Sequence, residues 1–330
     1  MPANLTPQYL KAEAEYRRAS TPEEELECLQ AMLRELPKHK GTDKLYAELK
    51  QKISKTKKEI QQQKRSKGKR GGLRIPRQGA GRAVIIGGPN AGKSQLVRSL
   101  TRATPEVAPY PFTTQQPSPG MMPWEDVMVQ LIDTPPITAD VFDPVTQGLL
   151  RGADLAVLMV DLGSDEGIEQ LQEVLDHTQA TKTRLAKDSY LDESDLGVSY
   201  TRTVLAPNKI DLPEAAERLE LLHEFYQLDF PEYVISALHG TGLEPLRDAI
   251  YRPLDVVRVY TKLPNKKEPD YDRPFTIRRG GTLLEIAEMI HKDFAQNLKY
   301  ARVWGSHVHD GTMVKGDYVL HDKDVVELHV

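Results

Sequence analysis

The sequence predicts an α/β protein built on a doubly wound parallel sheet, preceded by a helical hairpin and followed by a small α+β unit. Three observations carry this expectation. Short apolar runs alternate with helix-like stretches through the middle of the chain, at residues 83–86, 127–132, 155–161, 203–206 and 233–236. Most of these runs are continuously apolar, as strands buried on both faces of a parallel sheet are. A glycine-containing loop, residues 87–94, directly follows the first run and precedes a helix-like stretch at 95–102, the strand–loop–helix order of an α/β sheet.

The N-terminal region, residues 1–63, reads as helical. Pro7 starts a first helix through Arg18. Thr21-Pro22-Glu23-Glu24-Glu25 starts a second: Thr21 can cap, Pro22 suits the first helical position, and the acids complement the positive helix end. That helix ends near Pro37. A third begins at Gly41-Thr42-Asp43 with Leu45, Leu49, Ile53 and Ile60 along one face. It is mostly polar, so a hairpin with the second helix is expected rather than a buried core. Residues 64–82 hold five glycines, eight basic residues and one proline and read as a basic flexible linker. Residues 83–255 form the sheet domain. From about residue 256 to 330 short strands (275–278, 301–304, 325–330) surround one helix. Thr282-Leu283-Leu284-Glu285 is a capping box there, and Leu283, Ile286, Ile290 and Phe294 give the helix an apolar face.

The 330 residues carry a net charge of -4, which hides an asymmetry. Between Lys50 and Arg82 there are thirteen Lys or Arg and one acid, Glu59, so the remainder holds 31 basic and 47 acidic residues. A basic segment on an acidic body attracts polyanions. Aromatics do not interleave the basic residues, so base stacking is not indicated. The single cysteine, Cys28, rules out an internal disulfide framework and a cysteine-rich zinc site. No apolar run is long enough to cross a bilayer and no signal-like segment opens the chain, so a cytoplasmic protein without a membrane partner is expected.

Four stretches carry chemistry. Gly87-Gly88-Pro89-Asn90-Ala91-Gly92-Lys93-Ser94 fits the phosphate-binding P-loop pattern in its required context between strand and helix. The glycines let backbone N–H groups curl around phosphates, and the helix N-terminus, running on into Gln95, adds positive potential. Lys93 is expected to reach the β- and γ-phosphates and Ser94 to ligate Mg²⁺. Asp133-Thr134-Pro135-Pro136 ends the run at 127–132, where an acid can hold Mg²⁺ through water; alone it would be an ordinary strand-ending Asp. Asn208-Lys209-Ile210-Asp211 follows the run at 203–206, at the sheet edge where ligands bind. Its carboxylate can accept from guanine N1–H and the 2-amino group, neither of which adenine offers. Ser236-Ala237-Leu238 adds an Ala237 N–H expected to be available to guanine O6. The histidines show no metal-ligand spacing.

These four pieces, in this order, resemble the motifs of the GTPase superfamily. Tyr110-Pro111-Phe112-Thr113-Thr114, with Pro119-Gly120 beyond, resembles the switch I signature of its Obg-like branch. That resemblance makes Thr114 the magnesium ligand of the GTP state, with Thr113 second. KHKGTDKLYAEL at 38–49, VYTKLP at 259–264 and KYARVWG at 299–305 resemble the developmentally regulated GTP-binding proteins. The resemblance implies a helical N-terminus, a GTPase domain, a closing TGS domain of β-grasp fold, GTP/GDP and Mg²⁺ as ligands, and Lys93 and Thr114 as catalytic.

Three departures stand out. Pro136 occupies the place of a glycine and has no N–H to give a γ-phosphate. Ile137 stands where Ras-like enzymes carry a water-orienting glutamine. Only about forty residues separate Asp161 from Thr203, too few for the inserted subdomain of the family. Asn90 has two readings: a turn residue or, by resemblance to related GTPases, a residue that helps hold K⁺ in place of an arginine finger. The expected function is a GTPase switch associated with ribosome or RNA, its unaided turnover slow, with a regulatory protein as a further partner. The rival from another class is a GTP-binding scaffold with little hydrolysis that docks a protein through its helical and TGS domains.

Overall fold

A computed structural model describes residues 5–19, 21–37, 42–66, 75–101, 116–139, 141–191, 198–264 and 266–330, with the side chains of 61–66 excepted. Three helices open the chain: α1 (Pro7–Arg18), α2 (Pro22–Glu35) and α3 (Asp43–Ser66). Thr6 and Thr21 cap the first two through Tyr9 N–H and Glu24 N–H, each with proline in the first turn. The expected polar hairpin is corrected to a three-helix unit with its own core. Tyr9, Tyr16, Leu29, Met32 and Leu49 are buried together, because α1 supplies the two tyrosines that cover the narrow apolar stripes of α2 and α3. Cys28 lies at this core, its thiol pushed up to about 11 by burial. Arg151 of the next domain reaches Glu25 at 2.9 Å and lies over the Tyr16 ring.

The expectation of a flexible segment from residue 64 needs correction at both ends. α3 runs on to Ser66. At the other end Ile75 packs on the sheet domain, Arg77 donates to Gly152 O and Asp154, and Gly79 bridges Val129. Residues 67–74 lie outside the described residues.

The central domain follows: β1 (Arg82–Gly87), α4 (Lys93–Leu100), β2 (Ser118–Trp124), β3 (Val127–Asp133), α5 (Pro144–Arg151), β4 (Leu155–Asp161), α6 (Glu166–Gln179), β5 (Thr183–Ala186), β6 (Tyr190–Leu191), β7 (Ser199–Asn208), α7 (Ala215–Phe225) and α8 (Leu243–Tyr251). The sheet order is β2-β3-β1-β4-β7-β5, with β6 on β7. All pairs are parallel except β2–β3 and β6–β7. Side chains alternate between two cores. Ala83 and Ile85 pack with Leu96, Leu100, Leu246 and Ile250 from α4 and α8; Val84 and Ile86 pack with Leu150, Leu171, Val174 and Leu222 from α5, α6 and α7. Strand order reverses at β1, so its carboxyl end is the switch point where such sheets bind ligands. The expected strand at 233–236 is not a full strand: it touches β7 only through isolated bridges, Leu205 with Glu232 and Asn208 with Ile235.

The C-terminal domain comprises β8 (Val256–Thr261), β9 (Asp270–Arg278), α9 (Leu283–Ile290), α10 (Lys292–Asn297), β10 (Tyr300–Trp304), β11 (Thr312–Val314) and β12 (Asp324–His329), with order β11-β10-β12-β8-β9. The helix expected to carry Phe294 on its apolar face breaks at His291, whose ring caps α10. The expected capping box does not form either. Thr282 makes no side-chain cap bond: the Glu285 amide donates to the Thr282 carbonyl and the Leu284 amide to Gly316 O.

This domain grips the β2–β3 turn. The Arg258 guanidinium, 7% exposed, pairs with Glu125, with Asp126 at 2.9 Å and with Asp322 at 2.7 Å. The Tyr260 hydroxyl donates to Asp126. Beneath them Trp124 stacks on Tyr251 at 3.6 Å and donates to Asp248.

Candidate nucleotide site

β1 delivers the chain to Gly87 at the switch point, and the loop turns through Gly88, Pro89, Asn90 and Ala91 before α4 starts at Lys93. Asn90 at φ 56° and Gly92 at φ 90° are left-handed, and Gly87 also has positive φ, at 154°. A Cβ on Gly92 would lie 2.3 Å from Asn208 Nδ2, so conformation and space both require glycine. Asparagine tolerates the left-handed region better than most residues, which gives Asn90 a sufficient turn role. Lys93 is buried and folds back over the loop, donating to Gly87 O at 3.0 Å and Gly88 O at 2.7 Å. Burial pushes its pKa down to about 8, against the pull of Asp133. A partly desolvated cation at a ring of backbone amides has a strong incentive to meet phosphate.

β3, beside β1, ends at Asp133, whose Oδ2 accepts from the Ser94 hydroxyl at 2.6 Å. A hydroxyl and a carboxylate side by side at the P-loop mouth are hard oxygen donors. They suit Mg²⁺, which takes one or two protein ligands and completes its shell with phosphate and water. Among the described residues no cluster of three or more His, Cys, Asp or Glu could hold a metal. Thr113 and Thr114 lie outside the described residues. Past β3 the chain is fastened down: Thr134 Oγ1 donates to Ile85 O at 2.6 Å, and Ile137 N–H to Gly87 O at 3.2 Å. The Ile137 side chain is 1% exposed and packs in the core with Val84 and Ile86.

At the other end of the groove the structure corrects two expectations. Asn208 and the Ala237 N–H were expected to face the base. Instead Asn208, 2% exposed, donates from Nδ2 to Ala91 O and accepts Ala237 N–H on Oδ1, both at 2.9 Å. One amide side chain thus clasps the P-loop to the loop after residue 235, and the Ala237 N–H is engaged by it. Gln95 also turns inward, from Nε2 to Ser99 Oγ at 3.1 Å, and the Ser99 hydroxyl donates to Ala237 O at 2.6 Å. Lys209, left-handed at φ 70°, places Nζ 2.6 Å from Asp161 Oδ2. Asp211 is exposed at the rim. The Ser236 hydroxyl, then the backbone, His239 and Lys209, hold its carboxyl below the ordinary range, so it is an ionised acceptor at neutral pH. Leu238 lies beside it at the surface, 68% exposed.

Sequence reasoning missed Asp161, Ser99 and His239. Asp161 positions Lys209 and accepts Gly163 N–H at 2.7 Å; its only sequence signal is an acid at the carboxyl end of a buried strand. His239 Nε2 lies 3.5 Å from Asp211 Oδ2. Replacing Asn208 with alanine is expected to cost about 2 kcal/mol, because it orphans a buried carbonyl and a buried N–H. Urea unfolding of the nucleotide-free protein measures this; a loss within error would show the clasp to be dispensable.

The strand–loop–helix cradle, the Ser94–Asp133 pair and the Asp211 acceptor define a P-loop GTPase. The family described as 50S ribosome-binding GTPase matches residues 82–187, and the TGS domain family matches residues 257–330. An uncharacterized GTP-binding protein of Methanocaldococcus jannaschii is 28% identical over 365 residues, covering 93% of this chain and 92% of the relative. The developmentally-regulated GTP-binding protein 2 homolog of Dictyostelium discoideum is 28% identical over 369 residues, covering 92% and 98%. Among solved structures, the G domain of the T. maritima FeoB iron transporter is similar at a TM-score of 0.36 and 26% identity, covering 52% of this chain and 97% of that one. The chain is a GTP-binding protein with a TGS domain, homologous over most of its length to the developmentally-regulated GTP-binding proteins. Both alignments exceed the 330 residues of this chain, so these relatives carry stretches that it lacks. No described helix is long and apolar enough to cross a membrane.

Proposed function

We propose that the chain is a cytoplasmic molecular switch that hydrolyses GTP to GDP and phosphate and acts on the ribosome or its RNA. The observation that carries the reading is the Asn208 clasp, which ties the phosphate loop to the base-facing loop and so presets their separation. Lys93 and the loop amides from Gly87 to Gln95 hold the phosphates. Ser94, Asp133 and, by resemblance, Thr114 hold Mg²⁺, which when bound neutralises phosphate charge. Asp211 reads guanine, and Lys209, Ser236, Ala237 and Leu238 frame it. The segment containing Thr114 orders around the γ-phosphate and relaxes after hydrolysis. With Ile137 in the core, no described side chain is placed as general base, so turnover is slow until K⁺ near Asn90 or a partner supplies charge.

Ribosome or RNA contact is supported by Lys50, Lys55, Lys57 and Lys58, which stand exposed on α3 and continue into the basic run. The family description that matches residues 82–187 points the same way. Sedimentation with ribosomes at graded salt, with GDP or a non-hydrolysable GTP analogue, tests this half. Co-sedimentation is expected with the analogue and should decline as log salt rises, as phosphate contacts require; no co-sedimentation at low salt would refute it. Single-turnover hydrolysis in K⁺ and in Na⁺, with and without ribosomes, tests the other half. Pro136 and the buried Ile137 favour the second reading, a GTP-binding scaffold with little hydrolysis that docks a regulatory protein. That reading takes over if no condition accelerates turnover.

A further inference from the structure

Where the helical unit, the sheet domain and the TGS domain meet, a cleft of about 160 Å³ is lined by Arg18, Arg77, Arg278 and Asp154. Three guanidinium groups converge on the one carboxylate. Arg77 pairs with Asp154 Oδ2, Arg278 lies 3.3 Å and Arg18 3.9 Å from Oδ1. Asp154 Oδ2 also accepts the Arg82 N–H at 2.9 Å. Arg17 adds a fourth cation, its pKa lowered by burial and then by Arg278. Arg18 Nε is buried without a hydrogen-bond partner among the described residues, and its side chain is only 21% exposed.

Two bland accounts fall short. Arg17 and Arg18 end α1, where cations complement the helix dipole. That accounts for neither Arg77 nor Arg278, which come from a loop and a strand. Asp154 balances one charge, not three. Arg77 and Arg278 are 41% and 50% exposed, so water screens part of the repulsion, but a guanidinium cannot relieve the rest by losing its proton. Planar guanidinium forks match phosphate oxygens two at a time.

We infer that this three-domain junction binds a phosphoryl anion, either free or on an RNA backbone, through Arg18, Arg77 and Arg278. The site is separate from the nucleotide groove. Each arginine comes from a different unit, so the anion ties helical region, sheet domain and TGS domain together.

The test is calorimetric titration of pyrophosphate into the full chain saturated with GDP and Mg²⁺, at constant ionic strength. GDP keeps the P-loop filled, and the arginine variants, which leave that loop intact, separate binding here from binding there even if the GTPase reading fails. Saturable binding is expected at millimolar concentration or below. It should weaken at least about tenfold in Arg278→Gln and in Arg18→Gln, and tighten in Asp154→Asn, which removes the competing carboxylate. Equal binding in wild type and both arginine variants, or none in wild type, would overturn the inference; so would an Asp154→Asn variant that folds and binds more weakly. A short single-stranded RNA added in a second arm separates the sources. Competition with pyrophosphate assigns the site to a backbone phosphate, and binding of pyrophosphate without competition assigns it to a free anion.

Discussion

Asp211→Asn is expected to weaken GTP binding by roughly 10²–10⁴-fold and to raise affinity for xanthosine triphosphate. The carboxylate can accept two hydrogen bonds from guanine. Asparagine keeps one acceptor and turns an N–H toward the guanine 2-amino group, so two donors meet. Xanthine carries a carbonyl at that position and accepts the new N–H. Lys93 and the phosphate loop are untouched, so affinity for the triphosphate portion should persist and only the choice of base should change. The Ser236 hydroxyl beside Asp211 can donate to an amide oxygen, which keeps the replacement oriented. Competition of GTP, XTP and ATP against a fluorescent nucleotide measures the switch. Unchanged preference for GTP would remove Asp211 from the base site, and a preference for ATP in both wild type and variant would make the protein an ATPase instead.

Arg258→Ala is expected to lower stability by about 3 kcal/mol. The guanidinium is buried, and its loss leaves Glu125, Asp126 and Asp322 close together without a cation. The three carboxylates are partly solvated, which keeps the loss toward the lower part of the range for a broken buried pair. The hydrogen bonds now hold Asp126 and Asp322 below the ordinary carboxylate range, against the effect of burial. Without them, repulsion across the boundary should separate the domains before either unfolds. Chemical denaturation followed by tryptophan fluorescence reads this directly, because Trp124 lies under the contact. A single transition at the wild-type midpoint would show the pairing to be energetically idle.

Much of the site could be read from the chain because its parts obey local rules. Gly92 must be glycine, Lys93 and Ser94 follow it, and Asp133 and Asn208 end strands whose apolar runs are plain. The neighbours of these residues were not legible. Asp161 meets Lys209 across 48 positions and Ser99 meets Ala237 across 138, and no spacing rule announces such partners. The same limit governed the fold. β2 is absent from the apolar runs because it contains Pro119, Gly120 and Pro123, yet an edge strand tolerates proline on its outer side. The 233–236 run is apolar enough for a strand but meets β7 through isolated bridges only. Thr282 has the capping sequence, but its own carbonyl takes the Glu285 amide and Gly316 O takes the Leu284 amide, the second an outcome set by tertiary structure.

The β2–β3 hairpin has a further consequence. Its turn is clamped by Arg258 and Tyr260, and at the opposite end Ser118 pairs with Asp133 beside the P-loop. A ribbon held at one tip behaves as a lever. Were a bound partner to tilt the C-terminal sheet, the strain would reach the Ser94–Asp133 pair along this ribbon, and nucleotide would change that partner's affinity by the same factor. Such a partner and the nucleotide would then report on each other through seven residues of β-ribbon on each side.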